Sequence, residues 1–326
     1  MNAGAPGARH GNLSVNMPEP APLLSLIPVP VWVVRRRLRY FYTTLFGNSK
    51  LAGEPVGVTW ERDWEIVRAI KRVAQAPPQR KDVDADGLEL WKTPLGDFWT
   101  PPEVSSLFVR MVVTEALSDT YRFAAQKWTT PPIALDCGAN IGMFTRLALR
   151  HGAARVVCFE PSPTTAACLR KTFEPEIAAG QVTVVSKGVW NRTETLRFTA
   201  RNRANPGTHQ IAGPEDAHDE SDITIEVVAI DEVVAELDLP SLQFIKMDIE
   251  GAEVNALKGA CETIRRFRPR IGMGTEHTSD VSANNEAVIR TVRDIDPSYQ
   301  VVFTEVHPEQ SASHGFTLAP YSLFFF

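Results

Sequence analysis

Beyond Pro131-Pro132 the chain alternates short apolar runs with helix-like segments, and few folds satisfy that alternation. The runs 133–136, 156–160, 182–186, 244–248 and 270–274 hold four or five residues each and are mostly Val, Ile, Leu, Met or Phe. They are too short for helices, and a strand apolar on both faces must be covered on both faces. Parallel strands joined by crossover helices meet that demand, so an α/β fold is expected. Two more strands, 195–200 and 223–228, bracket the polar run 201–221 (RNRANPGTHQIAGPEDAHDES), which reads as an exposed insertion or lid. The last strands are expected at 299–305 and 321–326, where Phe324, Phe325 and Phe326 need a neighbour to bury against.

The upstream residues are organised differently. Residues 1–22 are rich in Gly, Ala, Pro and Asn without periodicity, and are expected to be disordered. An extension follows over 23–130, and the main domain spans 131–326. The apolar run 23–34 contains Pro28 and Pro30 and falls short of the roughly 20 residues needed to cross a bilayer. Arg35, Arg36, Arg37 and Arg39 come directly after it. The arm from Leu23 to Phe41 therefore suits either peripheral contact with an anionic membrane or packing on the protein body. Helices are expected over 59–75, stopped by Pro77-Pro78, and over 104–117. Between them, 87–102 reads as a short strand and loop. Its Trp91, Phe98 and Trp99 either wall an acceptor pocket or pack the core.

Charge is nearly balanced, 34 Lys and Arg against 39 Asp and Glu, which gives no general attraction to nucleic acid and favours a small-molecule partner. The four cysteines, Cys137, Cys158, Cys168 and Cys261, form no CxxC pair; buried free thiols in a reducing, cytoplasmic setting are expected. The N-terminus lacks the signal-peptide order of charge, apolar stretch and cleavage site.

The segment from Ile133 to Phe144 (IALDCGANIGMF) is strand, tight turn and helix. Gly138 and Gly142 let backbone approach a ligand, and ligands of open α/β sheets bind beyond the strands' carboxyl ends. A dinucleotide fingerprint would place glycine at 140, where Asn140 stands, and no phosphate loop of the GxxxxGK[ST] type is present. Glu160 ends the next strand, 22 residues after Gly138, and is suited to accept hydrogen bonds from ribose hydroxyls.

Three segments, LDCGANIGMFT (135–145), VCFEPSP (157–163) and FIKMDIEGAEVNALKGA (244–260), resemble in order and spacing the FkbM family of S-adenosylmethionine-dependent methyltransferases. The resemblance covers about 131–277. It implies a Rossmann-like seven-stranded methyltransferase sheet, mainly parallel with the last strand antiparallel, behind a helical N-terminal extension. It implies S-adenosyl-L-methionine as cofactor, with Asp136, Gly138, Ala139, Asn140 and Gly142 about the methionine part. Glu160, Pro161 and Ser162 would lie at the ribose, and the stretch 186–189, including Gly188 and Val189, at the adenine. The implied reaction is O-methylation of a sugar, glycan or natural-product hydroxyl. Two departures stand out. Trp190-Asn191 replace a small residue and an acid after the third strand, and Glu276-His277 are adjacent where the family commonly has Glu-x-His.

An alcohol must lose its proton at or near the transition state of methyl transfer, so a base is needed beside the cofactor. Lys246, Asp248 and Glu250 alternate at the end of the fourth strand, which sets Asp248 at the cofactor's edge and turns Glu250 toward the acceptor. Asp248, Glu250 and His277 are the candidate catalytic groups, and Asp248 with Glu250 the candidate ligands of a divalent ion such as Mg²⁺. Lys246 is expected to pair with Asp248 or Glu250, and Glu253 to complement a helix dipole. Val254, Leu257, Cys261 and Ile264 mark the buried face of one helix that Pro269 ends. Arg265, Arg266, Arg268 and Arg270 read as a solvated helix end, and His209 reaches the acceptor only if the insertion folds over it. Two other function classes suit such a chain less well: a dinucleotide-dependent oxidoreductase, disfavoured by Asn140, and a non-catalytic membrane- or partner-binding scaffold, disfavoured by Asp136, Glu160 and Asp248 at three strand ends.

Overall fold

The computed structural model describes residues 60–102, 104–200, 209–211, 223–275, 281–311 and 315–326. The extension supplies α1 (Trp60–Gln75), a three-stranded antiparallel sheet of β1 (Gln79–Val83), β2 (Glu89–Thr93) and β3 (Gly96–Thr100), and α2 (Ser106–Leu117). The buried faces of the two helices are shifted from the simple apolar repeat: Val67, Ala69 and Val73 are buried in α1 and Phe108, Val109, Val113 and Ala116 in α2, while Trp64, Leu107 and Met111 are exposed. The α2 start is set two residues later than expected because Ser105 caps it, its Oγ accepting from Phe108 N at 3.1 Å. The small sheet exceeds the short strand expected over 87–102. Thr93 Oγ1 accepts from Leu95 N and donates to Gly96 O, and Gly96 at φ +116° completes the tight turn.

The main chain then runs β4 (Ile133–Cys137), α3 (Met143–Arg150), β5 (Arg155–Phe159), α4 (Pro163–Thr172), α5 (Glu174–Ala178) and β6 (Val182–Val185). Four strands follow as β7 (Gly188–Trp190), β8 (Glu194–Ala200), β9 (His209–Ile211) and β10 (Ile223–Ala229), and after them α6 (Ile230–Glu236) and β11 (Phe244–Met247). The chain ends with α7 (Glu253–Lys258), α8 (Cys261–Phe267), β12 (Arg270–Gly274), α9 (Val281–Ile295), β13 (Val301–Ser311) and β14 (Gly315–Phe325). The main sheet has seven strands in the order β13-β14-β12-β11-β4-β5-β6, and β14 runs antiparallel to both neighbours. That is the mainly parallel sheet with an antiparallel last strand that the resemblance implied.

Three features depart from the expected outline. β7, β10, β8 and β9 form a second sheet, which leaves 195–200 and 223–228 outside the main one. The closing hairpin is longer than expected, with 11 residues in each strand. The single helix expected after β11 is two helices, broken at Gly259. A Cβ there would lie 2.1 Å from Trp190 O, so the break is where the chain passes β7.

Alternation along each strand sorts residues between two cores. Ile133, Leu135, Cys137, Val157, Phe159, Ile245 and Met247 face α6 to α9. Ala134, Val156, Cys158 and Phe244 face α3 and the extension, where Trp91, Phe98, Val109 and Val113 join the same cluster. Phe123 lies at its centre, with ring centroids 5.1 Å from Phe244, 5.2 Å from Trp128 and 5.6 Å from Phe144. The extension is therefore packed on the sheet through fully buried aromatic surface, and burying one such ring contributes about 1.5–3 kcal/mol.

Candidate functional site

The parity that puts Phe244 on the extension's side also puts Lys246 there, directly beside Asp136 in the β11–β4 register. Both side chains are buried. Lys246 Nζ is 3.3 Å from Asp136 Oδ1 and donates to Gly138 O at 2.6 Å and to Cys137 O at 3.3 Å. Two of its N–H groups are thus directed at carbonyls of the glycine turn, while Asp136 Oδ1 is its ion-pair neighbour. Burial alone would push the Lys246 ammonium down. Asp136, then Asp248 and Glu115, outweigh burial and hold it above its ordinary value. Thr145 Oγ1 donates to Asp136 Oδ2 at 2.7 Å, which ties the first turn of α3 to the same acid. Asp136 is therefore a structural strut beneath the turn, and its ion-pair partner is Lys246 where Asp248 or Glu250 was expected to take that lysine.

The turn follows from close approach. Gly138 sits at φ +76°, and a Cβ on it would fall 1.9 Å from Asp248 O. Gly142, at φ +89°, opens α3 where a Cβ would meet the Phe173 ring at 2.3 Å. Asn140 is also left-handed, at φ +49°, a conformation Asn tolerates better than most side chains. Its Oδ1 is buried with no hydrogen-bond partner among the described residues.

Glu160 faces this turn from the end of β5. Its Oε2 accepts from Asn140 N at 2.9 Å and its Oε1 from Ser162 N at 2.9 Å. Pro161, with no N–H, leaves Ser162 as the next donor, while Ser162 Oγ caps α4 by accepting from Thr165 N. Burial pushes the Glu160 carboxyl up to about 7, against the pull of those two N–H groups. Each oxygen keeps a lone pair for a further donor, so the pair can receive a diol.

Asp248 closes the opposite side. Its N donates to Cys137 O at 3.1 Å, and its Oδ2 accepts from Tyr121 Oη at 2.7 Å. Tyr121 Oη also lies 2.5 Å from Glu115 Oε1 on α2, so two carboxylates share one hydroxyl hydrogen. Tyr121 is held by a turn with Asp119 at φ +51° and Arg122 at φ +65°, and Asp119's carboxylate accepts from Ala124 N and Ala125 N. Glu250 follows at φ +57° with Gly251 at φ +97°, a kink that returns the chain along the cleft before Glu253 Oε1 accepts from Gly251 N. Among the described residues no three His, Cys, Asp or Glu side chains gather as a metal site. Asp248 and Glu250 offer two acids where Ca²⁺ or Mg²⁺ takes about six to eight oxygens.

These groups surround one cleft enclosing about 1070 Å³, its open mouth included. A family model for the methyltransferase FkbM domain matches residues 136–318. The chain belongs to the FkbM methyltransferase family. Among curated relatives it is 28% identical to hexuronic acid methyltransferase AglP of Haloferax volcanii, over 45% of this chain and 57% of that protein. It is 26% identical to the 2-O-methyltransferase NoeI of Sinorhizobium fredii, over 52% of this chain and 73% of that protein. The chain thus spans little more than half the length of the first of these relatives. It is also similar to the crystal structure of an FkbM methyltransferase from Methylobacillus flagellatus, 19% identical with a TM-score of 0.43, over 83% of this chain and 63% of that one.

Within this FkbM fold the cleft collects Gly138, Ala139, Asn140, Glu160, Pro161, Gly188, Val189, Asp248 and Glu250 of the expected residues. Asp136, Gly142 and Ser162 support it from behind. His277, Glu276 and the arm 23–41 lie outside the described residues, as does most of the insertion, whose β9 contains His209. Trp91 and Phe98 are buried in the extension's core, so core packing is the reading that holds for them; Trp99 is half-buried, carries Lys171 over its ring at 3.9 Å and, like the other two, does not line the cleft. The cysteines are free, with Cys137, Cys158 and Cys168 buried as expected. Arg268 pairs with Asp296 and Arg270 stacks over Trp128, so that run is only partly a solvated helix end.

Sequence reasoning missed Val112, Glu115, Thr120 and Tyr121 from the extension and Ile225 from β10, all of which line the cleft. The one available signal was the run SDTY (118–121), polar and aromatic, placed directly after a helix and close to the domain boundary.

Proposed function

We propose that the chain is an S-adenosylmethionine-dependent O-methyltransferase acting on a hydroxyl of a sugar, glycan or natural product. Family membership supports methyl transfer, and the sugar-directed names of the two curated relatives support the acceptor class. The observation that carries the cofactor reading is Glu160. It is a buried acid at a strand's carboxyl end, with each oxygen fixed by one backbone N–H and each able to accept one ribose hydroxyl. The buried Asn140 Oδ1 is a second acceptor suited to the ammonium of the methionine part.

When bound, the cofactor supplies a methyl group on a cationic sulfur. The chain's own residues then have three tasks. Asp136, Lys246 and Thr145 hold the glycine turn against the cofactor without touching the acceptor. Tyr121 and Glu115 fix the Asp248 carboxylate on the cleft wall opposite Glu160, where it can align the acceptor oxygen and take its proton. Ile141, Phe144 and Val189 exclude water around the reacting atoms. Glu250 and His277 remain the further acid-base groups of the proposal. Titration calorimetry with S-adenosylmethionine and S-adenosylhomocysteine tests it. Micromolar binding is expected, and no heat of binding up to about millimolar concentration, near −4 kcal/mol, would sink it.

A further inference from the structure

The two helices of the extension turn cationic and apolar side chains outward together. On α1 the exposed positions from Trp64 onward are Trp64, Arg68, Lys71, Arg72, Ala74 and Gln75, none of them acidic. Trp64, Arg68, Lys71 and Arg72 stand at i, i+4, i+7 and i+8, which sets them along one side of the helix. On α2 the same spacing aligns Leu107, Arg110 and Met111, and Leu107 and Met111 are 67% and 51% exposed. The opposite faces are buried. Val73 of α1 shares one cluster with Phe108, Val109 and Val113 of α2, so both exposed faces look away from the same core.

We propose that the outward face of α1 and α2 is a docking surface for a lipid bilayer that carries anionic headgroups. Charge complementarity argues for that occupant. The chain as a whole is acidic, with 34 Lys and Arg against 39 Asp and Glu. Arg68, Lys71, Arg72 and Arg110, with no exposed acid between them among the described residues, are therefore a local departure from the overall sign. The apolar side chains set among them fit a bilayer better than a dissolved polyanion. Trp64, Leu107 and Met111 enter the boundary between headgroups and acyl chains, while the lysine and arginine stems lie along it and keep their charges at the phosphates. Each cation at such a surface strengthens binding by about fivefold, and four together by a few hundredfold. The surface also adjoins the cleft, since Met111 stands one turn before Glu115 and beside Val112, both of which line it. Docking there holds the cleft at the bilayer surface, whichever acceptor it takes. The arm 23–41 contributes nothing to this face as described, and the inference does not depend on the methyl-transfer reading.

The full chain is floated through a density gradient with vesicles of phosphatidylcholine alone, or of phosphatidylcholine mixed with phosphatidylglycerol, in dilute and in concentrated salt. Binding to the mixed vesicles at least about tenfold over phosphatidylcholine alone, and weakened by salt, is expected. Arg68→Glu combined with Arg110→Glu reverses two of the four charges and is expected to weaken that binding by about tenfold or more. Leu107→Ser combined with Met111→Ser, at positions already exposed, is expected to weaken it several-fold while the urea-denaturation midpoint stays unchanged. No binding to the mixed vesicles, equal binding to both kinds, or binding to heparin with none to vesicles overturns the inference. So does vesicle binding that survives either pair of substitutions, since the contact would then lie elsewhere in the chain.

Discussion

Cofactor affinity should depend on pH through Glu160, in a direction opposite to the stability of the ligand-free fold. Burial raises this carboxyl from an ordinary 4.5 to about 7 in the empty site. Two ribose hydroxyls donating to its oxygens favour the ionised form, so the ligand binds the carboxylate and must displace a proton below pH 7. Affinity is then flat above about pH 7.5, roughly tenfold weaker at pH 6 and roughly a hundredfold weaker at pH 5, since each unit corresponds to about 1.4 kcal/mol. Without ligand the sign reverses. The folded-state value lies above the ordinary one, so the stabilising contribution is complete below about 4.5 and is lost as pH rises through about 7. Its full size is about 3 kcal/mol. Calorimetry of S-adenosylhomocysteine binding at pH 8, 7 and 6, with Glu160→Gln as control, isolates the effect because the ligand's own titration is common to both proteins. A wild-type affinity that does not change between pH 8 and 6, or the same slope in Glu160→Gln, would refute the reasoning.

Two further substitutions test the turn beneath the cofactor. Gly138→Ala places a methyl 1.9 Å from Asp248 O at φ +76°, so strand ends must part; a loss of about 2–4 kcal/mol in urea denaturation and abolished cofactor binding are expected. Retained binding would show that β4 and β11 can separate freely. Lys246→Met leaves Asp136 buried without its cation and should cost about 3–5 kcal/mol, whereas Lys246→Met combined with Asp136→Asn should cost less than the single change. A double variant less stable than Lys246→Met would exclude the ion pair as the reason both are buried.

The main sheet was legible because its signals are local. Strand runs of four or five residues and the parity of side chains along them need only a few neighbouring residues. Asn140 and Glu160 were legible for the same reason, since the turn and the acid each follow a strand by fixed spacing. Strand and helix ends were less legible. β4 runs to Cys137 and β11 stops at Met247, each one residue from the expected end, because hydrogen bonding to neighbouring strands decides where a strand stops. The break at Gly259 was invisible for a related reason: its cause is Trp190 O, far away in sequence.

By itself the sequence determined the α/β class, the order of the main strands, the glycine turn and the acid that faces it. Each depends on propensity, alternation or loop chemistry within about 30 residues. Only the tertiary structure decided what stands across the cleft from that turn. Tyr121 meets Asp248 over 127 positions of chain, and it does so because Phe123, Trp128 and Phe244 bury the extension against the sheet. No periodicity encodes such a meeting. It follows from which two apolar surfaces are large enough to require each other, and the polar groups beside them are carried into place.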